Sequence, residues 1–250
     1  MNVVSTRGGA PVPLSQAIAS GQAPDGGLFM PPQIPRFGAP WAEFGETLAE
    51  RAVQLLLQFF AGDRLCTELD AIVRESLTFD APTRWLERQP DTGLLELFHG
   101  PTAAFKDFGA RFLAACLQRL FAPSSAHTVL VATSGDTGAA VAAAFWRRPG
   151  VRVVVLYPDG RVSPRQAHQL GAFGENVRTF RVAGTFDDCQ AMVKLAFADR
   201  ALSERHGLVS ANSISLGRLL PQMTYYAHAA LDGERRGRGR PNFVVPTGNL

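Results

Sequence analysis

Lysine is scarce in this chain, and its scarcity directs attention to amine chemistry. Of the 25 lysine and arginine residues, only Lys106 and Lys194 are lysines, and the other 23 are arginines. A primary amine can form a Schiff base with an aldehyde and can give up its proton, whereas a guanidinium does neither readily. A position that keeps lysine in so arginine-rich a chain is therefore a candidate for such chemistry.

Lys106 follows an apolar segment and a Gly-Pro turn, within residues 94–108. The pattern predicts a strand over residues 94–98 and a helix that opens at the lysine. The positive end of a helix disfavours an ammonium group, so we expect the pKa of Lys106 to be lowered. The alternative is an exposed lysine near a helix start. Lys194 flanks an apolar helical stripe, and we interpret it as a solvated lysine.

A loop rich in glycine and hydroxyl groups follows a predicted strand over residues 128–132. Its sequence is Thr133-Ser134-Gly135-Asp136-Thr137-Gly138. Free backbone N–H groups where such a loop enters a helix attract anions. The loop lacks the Gly-Lys-Ser/Thr ending of a Walker loop. Its alternative interpretation is a plain strand-to-helix turn in which Ser134 or Thr137 caps the helix.

The last residues of the chain have a similar form. A strand predicted over residues 243–246 leads into Thr247, Gly248 and Asn249, a second candidate turn for a phosphate group. This signal is weak alone, because any turn between a strand and a helix can contain glycine. The chain stops there with no helix to cover the strand, so we expect it to be the first part of a longer protein, incomplete at its C-terminus.

A further candidate anion site opens at Asn212 and Ser213, where we predict a helix that continues to Met223 and includes Arg218. The hydroxyls and free N–H groups of its first turn would suit an anion, and an arginine fork matches a phosphate dianion. The alternative is that Asn212 or Ser213 caps the helix and that Arg218 pairs with a surface carboxylate.

The elements that must position these residues fall into two zones. Residues 1–85 contain two amphipathic helix patterns after a Pro- and Gly-rich entry, and we predict a mainly helical N-terminal domain there. From residue 93, strands alternate with helices, which predicts an α/β core with a parallel sheet flanked by helices over residues 86–250. The predicted strands are 94–98, 128–132, 151–157, 177–182 and 243–246, and the predicted helices between them are 108–120, 137–146, 164–170 and 186–197.

Composition excludes several classes of protein. The chain has 250 residues, of which 46% are hydrophobic, and a net charge of only +3, which argues against disorder. No apolar run approaches the ~20 residues of a membrane span, and the start lacks the apolar core of a signal peptide. We therefore expect a cytoplasmic protein with no membrane partner.

The cysteines and the basic cluster exclude two further kinds of site. Cys66, Cys116 and Cys189 are far apart and form no CxxC pair, so we expect neither a disulfide framework nor a metal site. Cys116 falls on the apolar face of a predicted helix and is expected to be buried. The arginine-rich residues 233–240 have no aromatic residues between their charges, so we expect a solvated connection and no nucleic-acid partner.

Taken together, these segments resemble the threonine synthase family, whose members have the tryptophan-synthase-β-like fold of type II enzymes dependent on pyridoxal phosphate (PLP). The resemblance extends over the length of the chain. It includes both the lysine segment and a block of N-terminal residues. The similar segments are residues 5–8, 20–31, 99–108, 133–138, 184–190, 212–222 and 246–249.

The resemblance implies a carbon–oxygen lyase of threonine biosynthesis that converts O-phospho-L-homoserine and water to L-threonine and phosphate. It implies that Lys106 holds PLP as a Schiff base and then carries protons. Other cofactor-binding residues would be Asp136, Thr247, Gly248 and Asn249. Substrate-binding residues would be Ser134, Gly135, Thr137, Gly138, Asn212, Ser213 and Arg218. The partner would be this small molecule alone, bound by a monomer or homodimer.

Two alternatives stay open. The first is a sibling PLP enzyme of the same fold, such as a threonine or serine dehydratase or a sulfhydrylase, which Asp136 and the N-terminal block disfavour. The second is a non-catalytic, threonine-synthase-like protein that keeps the fold without turnover. Retention of Lys106 disfavours it, and the early end of the chain favours it.

We predict that PLP binds to Lys106 and not to Lys194. Borohydride reduction followed by peptide mass mapping should find the label on Lys106. Lys106→Arg should abolish the visible absorbance of the bound cofactor, because arginine keeps the charge and supplies no condensing amine. Lys194→Arg is the matched control and should keep the absorbance. Label on Lys194 would overturn the assignment.

Overall fold

The computed structural model describes residues 1–36, 43–122 and 124–246. The helices are α1 (Leu14–Ser20), α2 (Leu48–Phe60), α3 (Leu69–Ser76), α4 (Lys106–Leu120), α5 (Asp136–Phe145), α6 (Pro164–Gly171), α7 (Phe186–Ala198), α8 (Arg200–His206) and α9 (Leu216–Arg235). The strands are β1 (Asn2–Ser5), β2 (Val12–Pro13), β3 (Phe29–Met30), β4 (Thr83–Leu86), β5 (Gln89–Leu95), β6 (His127–Ala132), β7 (Val151–Pro158), β8 (Val177–Val182) and β9 (Leu208–Ser210).

A four-stranded parallel sheet forms the centre of the α/β part, in the order β8-β7-β6-β9. This confirms the parallel sheet flanked by helices. Val153 and Val155 of β7 are fully buried on the face that α5 covers, where Gly138 approaches Val155. On the other face α7 packs against β6 and β7. All four strands therefore end at the same edge, where the loops that carry polar groups follow them.

The N-terminal zone is mainly helical, and it also contains a small antiparallel sheet, β2-β1-β3. Helix α2 begins with a capping box between Thr47 and Glu50, and its apolar face is buried against α3 and α9. The buried Arg51 joins α2 to α9 through Asp232, with 2.7 Å between Nη1 and Oδ1. One continuous hydrophobic core extends from Val3 to Tyr225.

The strand predicted over residues 94–98 is wrong in its bounds and its partner. The structure has β5 (Gln89–Leu95), which forms an antiparallel hairpin with β4 and lies outside the parallel sheet. Gly93 lies opposite Trp85 in this hairpin, and a Cβ there would lie 2.6 Å from Thr83 Cγ2 and 3.2 Å from the Trp85 ring. The threonine methyl group and the indole therefore occupy the space above the glycine. The hairpin spans the domain boundary predicted at residue 85, and that boundary stays a prediction.

The strand predicted over residues 243–246 is also wrong. These residues form no ladder with any described strand, and the side chain of Val244 is 92% exposed. The ring of Phe243 instead packs edge-on against Tyr226 of α9, with 5.0 Å between the ring centres. An apolar run pairs as a strand only where a neighbouring backbone offers its hydrogen bonds.

The sequence missed several short elements, among them β1 to β4 in the first 86 residues. Helix α1 and strand β9 have too few residues for a periodic pattern to be visible, and α8 is a polar helix of seven residues. Strand β9 matters most for the site, because it pairs with β6 and brings residues 211–213 beside the loop that follows β6. The buried state predicted for Cys116 is confirmed.

Two observations concern other kinds of site. Over the described residues, no helix is both long and apolar enough to cross a membrane. Within the same ranges, no group of three or more His, Cys, Asp or Glu side chains is placed to hold a metal ion.

We predict that Leu56→Ala lowers the free energy of unfolding by about 2–5 kcal/mol, because Leu56 is fully buried in the core of α2. Leu57→Ala is the matched control: Leu57 is 47% exposed on the same helix, and its truncation should change stability by less than about 0.5 kcal/mol. Urea unfolding followed by circular dichroism measures both. Equal effects would contradict the assigned orientation of α2.

Candidate active site

Lys106 is the first residue of α4, as predicted, and its side chain is half-buried. The turn before it is closed by Asp107, a buried carboxylate that accepts hydrogen bonds from Thr102 N at 2.9 Å and Thr102 Oγ1 at 2.7 Å. A Cβ at Gly100 would lie 2.5 Å from Asp107 Oδ2. Glycine is therefore needed where the turn passes this carboxylate.

The surroundings of Lys106 lower its pKa, as predicted. Burial is the largest cause, the negative charge of Asp136 opposes it, and the positive charge of Arg218 adds to it. The expected cause was the helix end, whereas the main one is desolvation of the ammonium group. Lys106 Nζ also lies 4.2 Å from the centre of the Phe105 ring. The neutral amine, which is the form that condenses with an aldehyde, is thus more available.

Thr133 organises the loop between β6 and α5. Its buried Oγ1 accepts hydrogen bonds from the N–H groups of Gly135 at 3.0 Å and Gly138 at 2.9 Å. The hydroxyl that caps α5 thus belongs to Thr133, whereas the sequence suggested Ser134 or Thr137. The N–H groups of Gly135 and Gly138 are already bonded, whereas Asp136 and Thr137, at the start of α5, have N–H groups with no acceptor within the helix.

Helix α6 connects this loop to the lysine segment. Gln166 Nε2 donates to Asp136 Oδ1 at 2.8 Å, and Gln169 Nε2 donates to Thr102 O at 3.5 Å. Gly135 has a φ of +147°, and a Cβ there would collide with the Gln166 amide. Two turns that are about 30 residues apart in the sequence are thereby held together.

A cavity of about 500 Å³ lies at the carboxyl ends of β6 and β9, where open parallel sheets bind ligands. The loop after β6, the turn after β9, one face of α7 and the turn after α1 form its walls. The lining residues with polar side chains are Gln22, Thr133, Ser134, Thr137, Gln190, Lys194, Ser210, Asn212 and Ser213.

Arg218 is fully buried and lies against α4. Its Nη1 donates to Ala211 O at 2.9 Å, and a Cβ at Gly109 would lie 2.9 Å from its Nε. Among the described residues, Arg218 Nε and Nη2 and the neighbouring Ser215 Oγ have no hydrogen-bond partner. Burial lowers the pKa of Arg218 to about 10. The surface ion pair considered as the alternative for Arg218 is therefore wrong.

The structure brings four of the predicted substrate residues together in the cavity: Ser134, Thr137, Asn212 and Ser213. Asn212 and Ser213 precede the helix and do not open it, because α9 begins at Leu216. Lys106, Asp136 and Arg218 are not among the residues that line this cavity. Their mutual charge effects nevertheless place them near one another. The remaining predicted residues, Thr247, Gly248 and Asn249, lie outside the described part of the chain.

Sequence reasoning missed the contribution of α7 and of the N-terminal zone. Phe186, Gln190, Val193 and Phe197 form one face of α7 and line the cavity, and Lys194 lies beside them. Their helical spacing was visible, but it could not show which partner this face meets. Gln22 reaches the cavity because Gly21 packs against Ser210, where a Cβ would lie 2.9 Å from Ser210 Cβ.

The family of the chain follows from comparison with known proteins. A family model described as pyridoxal-phosphate-dependent enzyme matches residues 93–250. The chain belongs to this family. A second model, described as threonine synthase N terminus, matches residues 2–77.

Individual relatives agree with this placement. The threonine synthase of Escherichia coli strain K12 is 44% identical over an alignment of 244 positions, which covers 96% of this chain and 56% of that protein. The threonine synthase of Pseudomonas aeruginosa is 37% identical over an alignment of 264 positions, gaps included, which covers 100% of this chain and 55% of the relative. The chain thus spans about half the length of the curated relatives it matches.

Solved structures show the same similarity. The E. coli threonine synthase superposes with a TM-score of 0.84 and 41% identity, over 93% of this chain and 54% of that one. The PLP-bound threonine synthase from Brucella melitensis gives a TM-score of 0.82 and 37% identity, over 93% and 52%. The tryptophan-synthase-β-like fold expected from the sequence is thereby confirmed.

The described residues fit the cofactor of this family. Lys106 offers a half-buried amine with a lowered pKa, which suits condensation with an aldehyde. Arg218 adds buried N–H donors that have no partner in the described part of the chain, and Asp136 and Thr137 add N–H groups that have no acceptor within α5. An anionic aldehyde such as pyridoxal phosphate matches this set of donors.

We predict that Lys106 reacts with acetic anhydride at lower pH than an ordinary lysine, because its lowered pKa exposes the neutral amine earlier in a titration. Asp136→Asn should lower the pH of half-maximal reaction further, since the Asp136 charge raises the pKa. Arg218→Met should raise the pH of half-maximal reaction, because the Arg218 charge lowers the pKa of Lys106. Mass spectrometry of the peptide that contains Lys106 gives the rate at each pH. Shifts of the opposite sign would contradict the charge arrangement.

Proposed function

We propose that this chain supplies the cofactor lysine and the substrate-binding loops of a threonine synthase, which converts O-phospho-L-homoserine and water to L-threonine and phosphate. The observation that carries the proposal is the convergence of three segments that are distant in the sequence. Lys106, the loop at Ser134–Gly138 and the turn at Asn212–Ser213 meet at one end of a fold that matches threonine synthases.

The residues of this chain would hold the cofactor and handle the protons. Pyridoxal phosphate, when bound, supplies an electron sink beside the substrate's Cα. The Lys106 amine would attach the cofactor, and Asp136 would help to hold it. The Lys106 amine would also carry protons from Cα and Cβ of the substrate, so that phosphate can leave Cγ and water can add at Cβ. A lowered pKa suits an amine that must accept and return protons.

The loop after β6 would bind the substrate carboxylate. Ser134 and Thr137 contribute hydroxyls from the cavity wall, and the N–H groups at the start of α5 are free of intrahelical bonds. Gly135 and Gly138 would act by shaping the loop through their bonds to Thr133. The partial positive charge of the helix start favours a carboxylate at this position.

The turn after β9 would bind the substrate phosphate. Asn212 and Ser213 line the cavity, and Arg218 holds the same turn from behind by donating to Ala211 O. Thr247, Gly248 and Asn249 would begin the cradle for the cofactor's phosphate. The cytoplasmic location and the monomeric or homodimeric state stay predictions from the sequence.

The reaction can be tested directly on the protein loaded with PLP. The expected result is release of inorganic phosphate from O-phospho-L-homoserine and equimolar formation of L-threonine, measured by phosphorus NMR and amino-acid analysis. Lys106→Arg is the control and should abolish both. Formation of 2-oxo acids from L-serine or L-threonine would favour the dehydratase alternative. An unchanged cofactor spectrum on addition of O-phospho-L-homoserine would favour the non-catalytic alternative.

We predict that Ser213→Ala weakens the binding of O-phospho-L-homoserine by about tenfold or more, since a hydrogen bond to a charged group contributes about 1.5–3 kcal/mol. The spectrum of bound PLP should stay intact. Ser203→Ala, on α8 and outside the cavity lining, is the matched control. Titration of the cofactor's absorbance with substrate measures both. Equal affinities of the variant and the parent chain would make Ser213 a structural residue.

A further inference from the structure

A second cavity lies at the opposite end of the parallel sheet from the candidate active site. Its volume is about 370 Å³, and it is lined by the first halves of β6, β7 and β8, by β9, and by the helices α7 and α8. Among the described residues, Leu130 is the one that lines both cavities, and no residue assigned to the proposed reaction lines this one. The proposed reaction therefore leaves this cavity without a role.

The floor and one wall of the cavity are apolar. Leu130, Val154 and Leu208 form the floor, on the face of the sheet that α7 covers, because side chains alternate along each strand. Ala196 of α7 and Leu202 of α8 form the wall. The volume falls in the range of about 300–1,000 Å³ that is usual for small-molecule sites. The cavity therefore has room for a compact aliphatic body.

Two arginines border this apolar floor. Arg178 of β8 is paired with Val154 of β7, and Arg152 lies two residues before Val154, so all three side chains share one face of the sheet. Both arginines are exposed. Among the described residues neither arginine forms an ion pair, and Arg178 Nη1 donates to Val177 O at 3.5 Å. Their charges are available to a ligand.

The carboxylates next to these arginines are engaged with other groups. Glu175 lines the cavity, and its oxygens accept hydrogen bonds from Arg147 Nε at 2.9 and 3.0 Å and from Arg147 Nη2 at 2.7 Å. On α8, Glu204 pairs with Arg200 at 2.7 Å. The described lining thus offers two guanidinium groups without a counter-charge, and its carboxylate is already bound.

We infer that this cavity is a second ligand site, and that its ligand is a small monocarboxylate with a branched aliphatic body and no amino group. The apolar floor would bury the aliphatic body, and Arg152 and Arg178 would bind the carboxylate through charge-assisted hydrogen bonds. An amino acid of the same shape would bind more weakly, because its ammonium group would meet two guanidinium groups and an engaged carboxylate. This binding does not depend on the proposed reaction.

Three compounds of one shape test the chemistry on the protein loaded with PLP. Isocaproate should shift the methyl NMR resonances of Val154, Leu202 and Leu208, and should leave those of Val193, which lines the other cavity, in place. Isocaproamide lacks the charge, and L-leucine adds an ammonium group. Each should bind at least about tenfold more weakly in a titration of these resonances. Equal affinity of isocaproate and isocaproamide would overturn the inference.

Substitutions in the lining test the named residues. Arg152→Met and Arg178→Met should each weaken the binding of isocaproate by about tenfold, since a hydrogen bond to a charged group is lost. Arg88→Met is the matched control, because it removes the same charge from the exposed turn between β4 and β5. Ala196→Leu should weaken binding by filling part of the cavity. Unchanged affinity in both lining arginine variants would overturn the inference.

A second copy of the chain is the competing occupant of this face. Dilution of the protein without ligand should leave the resonances of Val154, Leu202 and Leu208 unchanged. Shifts that follow the protein concentration would identify the face as a contact between copies and overturn the inference. This measurement needs no variant, so it is independent of any effect of the substitutions on folding.

Discussion

The close packing of α4 against α9 is the contact on which the site depends. A Cβ at Gly109 would lie 2.7 Å from the backbone oxygen of Arg218, and a Cβ at Gly217 would lie 2.8 Å from Leu113 Cδ1. Glycine on both helices therefore permits an approach that any side chain would prevent. Because Lys106 begins α4 and the Asn212–Ser213 turn precedes α9, this approach sets the distance between Lys106 and that turn.

The same packing creates the charge balance of the site. Lys106 and Arg218 lie within reach of each other's field, and each is partly or fully removed from water. The carboxylates of Asp136 and Asp107 oppose the lowering of the pKa, the first at Lys106 and the second at Arg218, but burial outweighs both. Two desolvated cations whose pKa values stay lowered beside these carboxylates favour anionic ligands. A phosphorylated aldehyde and a phosphorylated amino acid are both ligands of this kind.

The sequence predicted the repeating core well because apolar strand and helix segments alternate there and turn residues separate them. Strands β6, β7 and β8 and helices α4, α5 and α7 differ from their predicted bounds by at most two residues. Failures occurred where structure depends on contacts between distant residues. The hairpin at β5 requires Trp85 above Gly93, and the apolar run near Phe243 packs on Tyr226 and pairs with no strand. The local pattern of apolar residues carries no information on either contact.

The candidate site was predictable to a similar extent, again where the signal is local in the sequence. Motifs identified Lys106, the loop at Ser134 and the turn at Ser213, because each combines a turn with a chemically suitable side chain. They could not show that Thr133 is the capping hydroxyl, which depends on the fold of the loop, or that Arg218 is buried. The sequence could not predict that Gln22 lines the cavity, because its place there follows from the packing of Gly21 on Ser210.

The rarity of lysine has a wider meaning once both lysines are located. In the proposed function Lys106 needs a primary amine for covalent chemistry, and arginine cannot replace it. Lys194 has no such requirement in that proposal, because it is exposed on α7, where an arginine would keep the same positive charge. Rarity alone therefore does not distinguish the two lysines. The difference between them lies in the burial and the lowered pKa of Lys106, which favour the neutral amine.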